Sequence, residues 1–523
     1  MNRQEKVLHR LILILIMIQP IIDLDYLLYD FLDQYGLPRP ATIIRFLVIP
    51  ALVIWSFFLK DKNMKRTFIF TAVYLVLFAG YFVLHCRQAQ SLYERLDLTE
   101  NFQFNTWQEL TYCLTLVIPY FVTYIIYNEK IDNRELRNLV LFLSGIISIP
   151  IVVGDLYVFA DSTYYGMTVG NVFSWFSGIY DWYHPRTLAS KFFFNEGNTI
   201  GILLFMLLPV LYYFLSVAKD KKERRKIAVL IFVQSMAMQM LATRVATYGA
   251  VIIPLLFLVL YFFDSLVLKH QKLQKNIIIL SFVFTAVFGG MLNMTPAVQN
   301  QKVDAVNDVA LLHNGAAAEG MERLSDGENL VRGSEEWRNF YVFMFETYGI
   351  NARYIQSVPS MYYTEYYSYQ HDPEFWSDVA LKIPVMERVN GRQVETIFTK
   401  YKYQNLTSKE KILGMGYSTF MNGSIVLERD FVMQIYLLGY TGELLCILPW
   451  VFLVLYGLYG FIRYHKQMFT LENMILAVSL GAGLGSAYLS GHTLDQFVTT
   501  IFMALLTAVL LNRIHTAKEQ AHE

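Results

Sequence analysis

Two arginines, a few carboxylates and one histidine stand at the ends of apolar runs, and their types suit group transfer on an anionic substrate. Arg244, in QMLATRVATYGAVI, lies between two apolar segments with no loop long enough to carry it away from a membrane rim. A fixed guanidinium there can grip a phosphate through two parallel N–H donors; an arginine snorkelling to headgroups would look the same. Arg186 opens RTLASKFFFNEGNTIGILLF, with Lys191, Asn195 and Asn198 following, which places positive charge and amides ahead of another apolar run. It equally suits an interface anchor with Asn198 as a helix cap. Glu428 and Asp430, in VLERDFVMQIYLLGYTGELL, head an apolar segment where a helix macrodipole favours acidic groups. A carboxylate in that place can also serve as a general base. His492, in LSGHTLDQF, has Asp495 three residues on. So short a pattern does not specify a metal, and a hydrogen-bonding role at a cavity mouth is expected instead. MYYTEYYSYQ, residues 361–370, gathers Tyr362, Tyr363, Tyr366 and Tyr367, whose faces can stack on sugars or sit at a membrane interface.

The elements that must position these groups are membrane helices. The 523 residues are 55% hydrophobic and only 16% charged, against about a quarter charged in soluble domains. Net charge is zero, so no basic field gathers nucleic acid. Cys86, Cys113 and Cys446 fall in or beside apolar runs and form neither a disulfide framework nor a thiolate metal site. The start, MNRQEKVLHR before LILILIMIQP, has a basic flank and an apolar run but no small-residue cleavage site, which predicts a retained first helix.

With about 20 apolar residues needed per span, the segments are 8–24, 43–59, 67–85, 109–127, 138–159, 198–217, 227–243, 246–263, 276–293, 431–459, 472–490 and 494–512. The expected fold is an all-α polytopic membrane protein of about twelve transmembrane helices. Placing the N-terminus inside puts Lys60, Lys65, Arg66, Lys130, Arg134, Arg137, the basic run from Lys219 to Lys226, Lys269, Arg463 and Arg513 inside as well. Both termini are then cytoplasmic. Residues 1–293 carry helices one to nine, 294–430 form an extracytoplasmic, mostly helical domain between helices nine and ten, and 431–523 carry the last three helices and a short cytoplasmic tail. Within the domain, Glu335 to Tyr348 has helical spacing, whereas VNDVALLHNGAAAEG and LSDGENLVRGS read as loop.

Five stretches, in this order and topology, resemble the O-antigen ligase and O-antigen polymerase family of bacterial envelope enzymes: RTLASKFFFNEGNTIG, LATRVATYGA, KILGMGYSTF, ERDFVMQIYLLGYTG and SGHTLDQF. Arg244 takes the arginine position of the second, with Thr243 and Val245 replacing a serine and a glycine; Gly414, Gly416, Gly439 and Gly442 carry the third and fourth. Glu428 falls where many ligases have a histidine. The resemblance implies transfer of a glycan from an undecaprenyl-diphosphate carrier to an acceptor hydroxyl, outside the cytoplasmic membrane of a bacterium, with neither metal nor cofactor. Arg186 and Arg244 would bind the diphosphate, and Glu428, or else Asp430 or His492, would be the base. The partners implied are the lipid-linked oligosaccharide, the acceptor glycan and membrane lipid, with a flippase and a chain-length regulator as further candidates. Two other classes stay open: a transporter or lipid-linked oligosaccharide flippase using Asp155 and Glu443, and a metal-dependent glycosyltransferase using Asp23 or Asp25.

Overall fold

The computed structural model describes residues 2–61, 63–96, 103–164, 166–181, 183–312, 323–348, 358, 361–384, 391–418, 427 and 429–521. Among these the chain is helical, without strands and with one isolated bridge between Asp161 and Met167. Nine described helices are long and apolar enough to cross a membrane, or up to ten if the bent pair Val432–Cys446 and Leu448–Arg463 counts as one span. The other two expected segments are also helical, Lys221–Met240 and Leu471–Leu489, of 20 and 19 residues. At 1.5 Å per residue each reaches about 30 Å, so length does not separate them from the rest. Polarity does: the first opens on KKERRK and the second carries Glu472 and Asn473.

The exposed surface explains why such a chain belongs in a bilayer. Only 11% of the most apolar stretch of Met64–Tyr93 is buried, and 17% of that of Pro40–Lys60, leaving side chains such as Phe58, Phe68 and Val76 open. Water would penalise so continuous an apolar face, whereas lipid tails do not. The protein is a multi-pass membrane protein.

By contacts the chain divides into two compact units: Met1–Thr71, Thr115–Gln301 and Pro449–Glu523 form the first; Ala72–Leu114 and Lys302–Leu448 form the second. The first is built around α1 (Gly197–Val217), whose most apolar stretch is 89% buried. A helix apolar all round belongs at a bundle centre. Small residues let its neighbours close in: Gly201 lies against α2 (Arg244–Phe262), and Gly483 of Leu471–Leu489 lies against Met206.

The second unit contains the helices Glu335–Tyr348, Pro373–Lys382, Gly391–Gln404 and Ser408–Leu413. The first of these spans the segment whose spacing predicts it. The stretch beginning at residue 306, expected as loop, instead continues helix Pro296–Leu312; residues 313–320 of it lie outside the described residues. Part of LSDGENLVRGS likewise winds into a short turn of helix, Asp326–Asn329.

Candidate functional site

Arg186 and Arg244 are 58 positions apart in sequence, and the first unit gathers the backbones that carry them. The segment leading into α1 folds on itself through Lys191 N–H to Asp161 O (3.0 Å) and Val169 N–H to Thr187 O (3.0 Å). It is tied to the turn before α2 by Ser190 N–H to Met240 O (2.8 Å), Thr163 Oγ1 to Leu241 O (2.7 Å) and Tyr164 Oη to Ala242 O (3.0 Å). Ala189, Ala242 and Ala297 then pack as one buried cluster. Three methyls, each two or three residues from Arg186, Arg244 or Asn300, hold those backbones together. Arg186 donates from Nε to Asn300 Oδ1 (3.0 Å) and lies over the Tyr164 ring at 5.5 Å. Arg244, the first residue of α2, is exposed, and no hydrogen-bond or ion-pair partner holds its guanidinium among the described residues.

The first turns of α1 and α2 lie side by side. A Cβ on Gly201 would stand 2.7 Å from Thr243 Oγ1, so only glycine admits the residue that caps α2. Glu196 stands at the cap position of α1 without a capping hydrogen bond from its side chain. Beside it lies the turn before α3 (Phe497–Gln520), where His492 Nδ1 and Asp495 Oδ2 are 2.9 Å apart. Crowding by the protein pushes the Glu196 carboxyl above the ordinary glutamate range, although it keeps solvent contact; His492 opposes the shift, and Asp495 and Asp23 add to it. Partial burial lowers the Lys191 ammonium, against the pull of Asp161 and Glu196. Two helix N-termini, two arginines and a histidine thus share one unit, an arrangement able to bind an anion and accept a proton.

A family model described as O-antigen ligase like membrane protein matches residues 5–517. The chain belongs to that family. No curated protein matches it. As a member of the O-antigen ligase-like family it is a membrane enzyme of polysaccharide assembly, and its relevant substrate class is the lipid-linked glycan.

Two stretches through which the sequence resembles the ligase-like family form one crossing in the second unit. Helix Val432–Cys446 breaks at Gly439 (φ 69°), and its freed carbonyls find new donors. Tyr436 O takes Met415 N–H (3.0 Å), Leu437 O takes Gly416 N–H (2.9 Å), and Leu438 O takes the Tyr81 hydroxyl (2.7 Å). Below the crossing, His85 bonds Leu413 O (2.6 Å) with Nδ1 and Glu109 Oε1 (2.7 Å) with Nε2. Glu109 also accepts the N–H groups of Tyr417 and Ser418, each at 2.9 Å. A carbonyl only accepts, and a carboxylate bound by two backbone donors is an acceptor too, so both ring nitrogens donate and His85 pairs with Glu109 as an ion. Both side chains are completely buried. Sequence reading missed this pair; the signal was an ionisable group at the end of each of two apolar segments, 67–85 and 109–127.

The remaining expected site residues divide between the units. Glu428 lies outside the described residues. Asp430 is fully buried in the second unit and accepts from Gln434 Nε2 (3.3 Å), which also reaches Tyr112 Oη (3.4 Å). Tyr112 stacks on Tyr417 with ring centres 3.7 Å apart. Tyr362, Tyr363 and Tyr367 are core residues of that unit, at 8%, 3% and 1% exposure; Tyr366 keeps part of its ring open. Lys402 is buried against Tyr367, 4.4 Å from its ring centre. Asp25 accepts from Arg39 Nε (2.9 Å) and Ala41 N–H (2.8 Å), and Asp23 pairs with Arg45 (2.7 Å), so Asp23 and Asp25 are both engaged. Asp155 accepts Val172 N–H at 2.9 Å.

Proposed function

We propose that the chain transfers a glycan from an undecaprenyl-diphosphate carrier to an acceptor hydroxyl at the outer face of the bacterial cytoplasmic membrane, polymerising repeat units of a surface polysaccharide. The observation that carries this is the three-alanine contact, which gathers the backbones of Arg186 and Arg244 beside the first turn of α2. Fixed positive charge is what a departing diphosphate requires, and preorganised charge is worth most where it develops in the transition state. Arg244 is the freer of the two, and Arg186 is steadied by Asn300 and Tyr164.

The acceptor hydroxyl needs a base. Glu428, Asp430 and His492 are the sequence's candidates, and His492 belongs to the same unit as the arginines. Tyr366, which is only partly buried, is the stacking surface for the glycan, on a frame built by Tyr362, Tyr363 and Tyr367. The topology that goes with this function has twelve spans, cytoplasmic termini and residues 294–430 outside. A flippase to deliver the carrier and a chain-length regulator are the proposed partners. No metal or cofactor enters the proposed step.

Ligation to a final acceptor is the same bond-making on a different hydroxyl. The size distribution of surface glycan and lipid-linked precursors separates the two, in cells lacking the chain and in cells given wild type or Arg244→Ala. Single repeat units in the deletion, with long chains restored by wild type alone, support polymerisation. Accumulated long lipid-linked chains mark a ligase, and unchanged glycan overturns the proposal.

A further inference from the structure

We propose that Glu196 accepts the proton of the acceptor hydroxyl, in a cleft beside the turn that carries the His492–Asp495 pair. The inference rests on the transfer function above and adds a catalytic group to the same cluster of helix N-termini.

The cleft is lined by Asp23, Asn195, Glu196 and Gln496, with Ile200 and Val498 as part of its apolar wall. Hydroxyl-rich ligands suit such a lining of carboxylates and side-chain amides. Glu196 occupies the cap position of α1, yet its side chain accepts no backbone N–H of that helix. Oε2 takes the Thr199 hydroxyl at 2.8 Å, and Oε1 accepts no hydrogen bond among the described residues. Capping therefore leaves one carboxylate oxygen unused. Asp495, 7% exposed, gives Oδ2 to His492 Nδ1 at 2.9 Å, while its buried Oδ1 has no partner among the described residues. Gly201 against Thr243 brings the first turn of α1 beside the one that begins with Arg244.

In the step, the acceptor oxygen forms a bond to the anomeric carbon of the donor. The bond from that carbon to the diphosphate oxygen breaks, and its electron pair leaves on the diphosphate, where Arg186 and Arg244 balance the charge. The hydroxyl proton passes to Glu196 Oε1 and out through His492. The charged groups around Glu196 are Asp23 from the end of the first helix, Lys191 from the segment before α1, and His492 with Asp495 from the turn before α3.

The test uses the full chain in lipid nanodiscs, measuring binding of undecaprenyl diphosphate and transfer from a lipid-linked glycan across pH. Glu196→Gln is expected to bind undecaprenyl diphosphate within about twofold of wild type while transfer falls about 100-fold or more, the usual contribution of a general base. Glu196→Asp should recover part of the rate. His492→Asn should move the acid limb of the rate profile to higher pH, because it removes the neighbour that holds the Glu196 carboxyl down. Wild-type transfer by Glu196→Gln, with Arg244→Ala inactive, overturns the role of Glu196 and leaves the transfer function standing. Loss of undecaprenyl-diphosphate binding in Glu196→Gln overturns it as well, by making Glu196 a binding group. A wild-type chain that neither binds the carrier nor transfers glycan overturns the function itself.

Discussion

Gly414 and Gly439 meet backbone to backbone, both at positive φ (92° and 69°). A Cβ on Gly414 would overlap the backbone of Leu437 and Leu438, and one on Gly439 would stand 2.5 Å from Ile412 O. The helix break at Gly439 and the turn at Gly414 are one feature, since each supplies space that the other needs.

Alanine at either position is therefore expected to destabilise the second unit by about 2–5 kcal/mol, summing left-handed backbone strain and overpacking. Thermal unfolding of the detergent-solubilised protein reads this. Gly290→Ala is the control, because an added Cβ there meets nothing within 4 Å. Equal melting temperatures for Gly414→Ala, Gly439→Ala and Gly290→Ala would refute the crossing.

The buried His85–Glu109 pair makes a second prediction. Removing one partner leaves the other as an unpaired buried charge, and breaking such pairs costs about 3–5 kcal/mol. Glu109→Gln and His85→Gln should each show that loss, and the double variant should be much less destabilised than the sum. Glu109→Gln keeps one oxygen for the Tyr417 and Ser418 N–H groups, so it should be milder than Glu109→Ala. Additive losses in a double-mutant cycle would show that the two side chains act separately.

The membrane helices were legible because one quantity, apolar length, decides them. All twelve expected segments are helical, although Lys221–Met240 and Leu471–Leu489 are less apolar than the rest. The site was legible only in part. Arg186 and Arg244 announce themselves as charges at the edges of apolar runs, but nothing in the sequence brings Ala189, Ala242 and Ala297 into one contact. Glu196 stands inside a stretch already singled out, and its significance comes from Asp23 and His492, which are far from it in the chain. Tyr362, Tyr363 and Tyr367 illustrate the opposite difficulty. Aromatic residues serve cores and sugar-binding faces alike, and only packing reveals that these three are buried.

Glu410 predicts a pH dependence of stability. Burial pushes its carboxyl up, but the Thr407 N–H, Arg95 and the Thr407 hydroxyl together bring it below its ordinary 4.5. Arg95 reaches it through Nε at 3.0 Å. A depressed folded value means that the contribution is fully present above the unfolded value and is lost as pH falls through the folded one. Glu410→Gln should thus melt lower than wild type near neutrality, and the gap should close as the pH is taken below 4.5. A gap independent of pH would assign the loss to packing rather than charge.

The last prediction separates charge from geometry at Arg244. If this residue holds the diphosphate through two parallel N–H donors, a lysine supplies the charge but not the fork. Arg244→Lys should then recover little of the transfer lost in Arg244→Ala, and carrier binding should weaken about tenfold or more in both. Arg186→Ala should fall short of that loss in binding, because part of the Arg186 side chain's role is the contact with Asn300 Oδ1. Asn300→Ala probes the same contact without removing a charge, and should lower transfer modestly by freeing Arg186. Titration of each variant with undecaprenyl diphosphate, alongside transfer rates at saturating donor, distinguishes these outcomes. Full activity in Arg244→Lys would mean that a point charge suffices, and the two-donor grip would have to be abandoned.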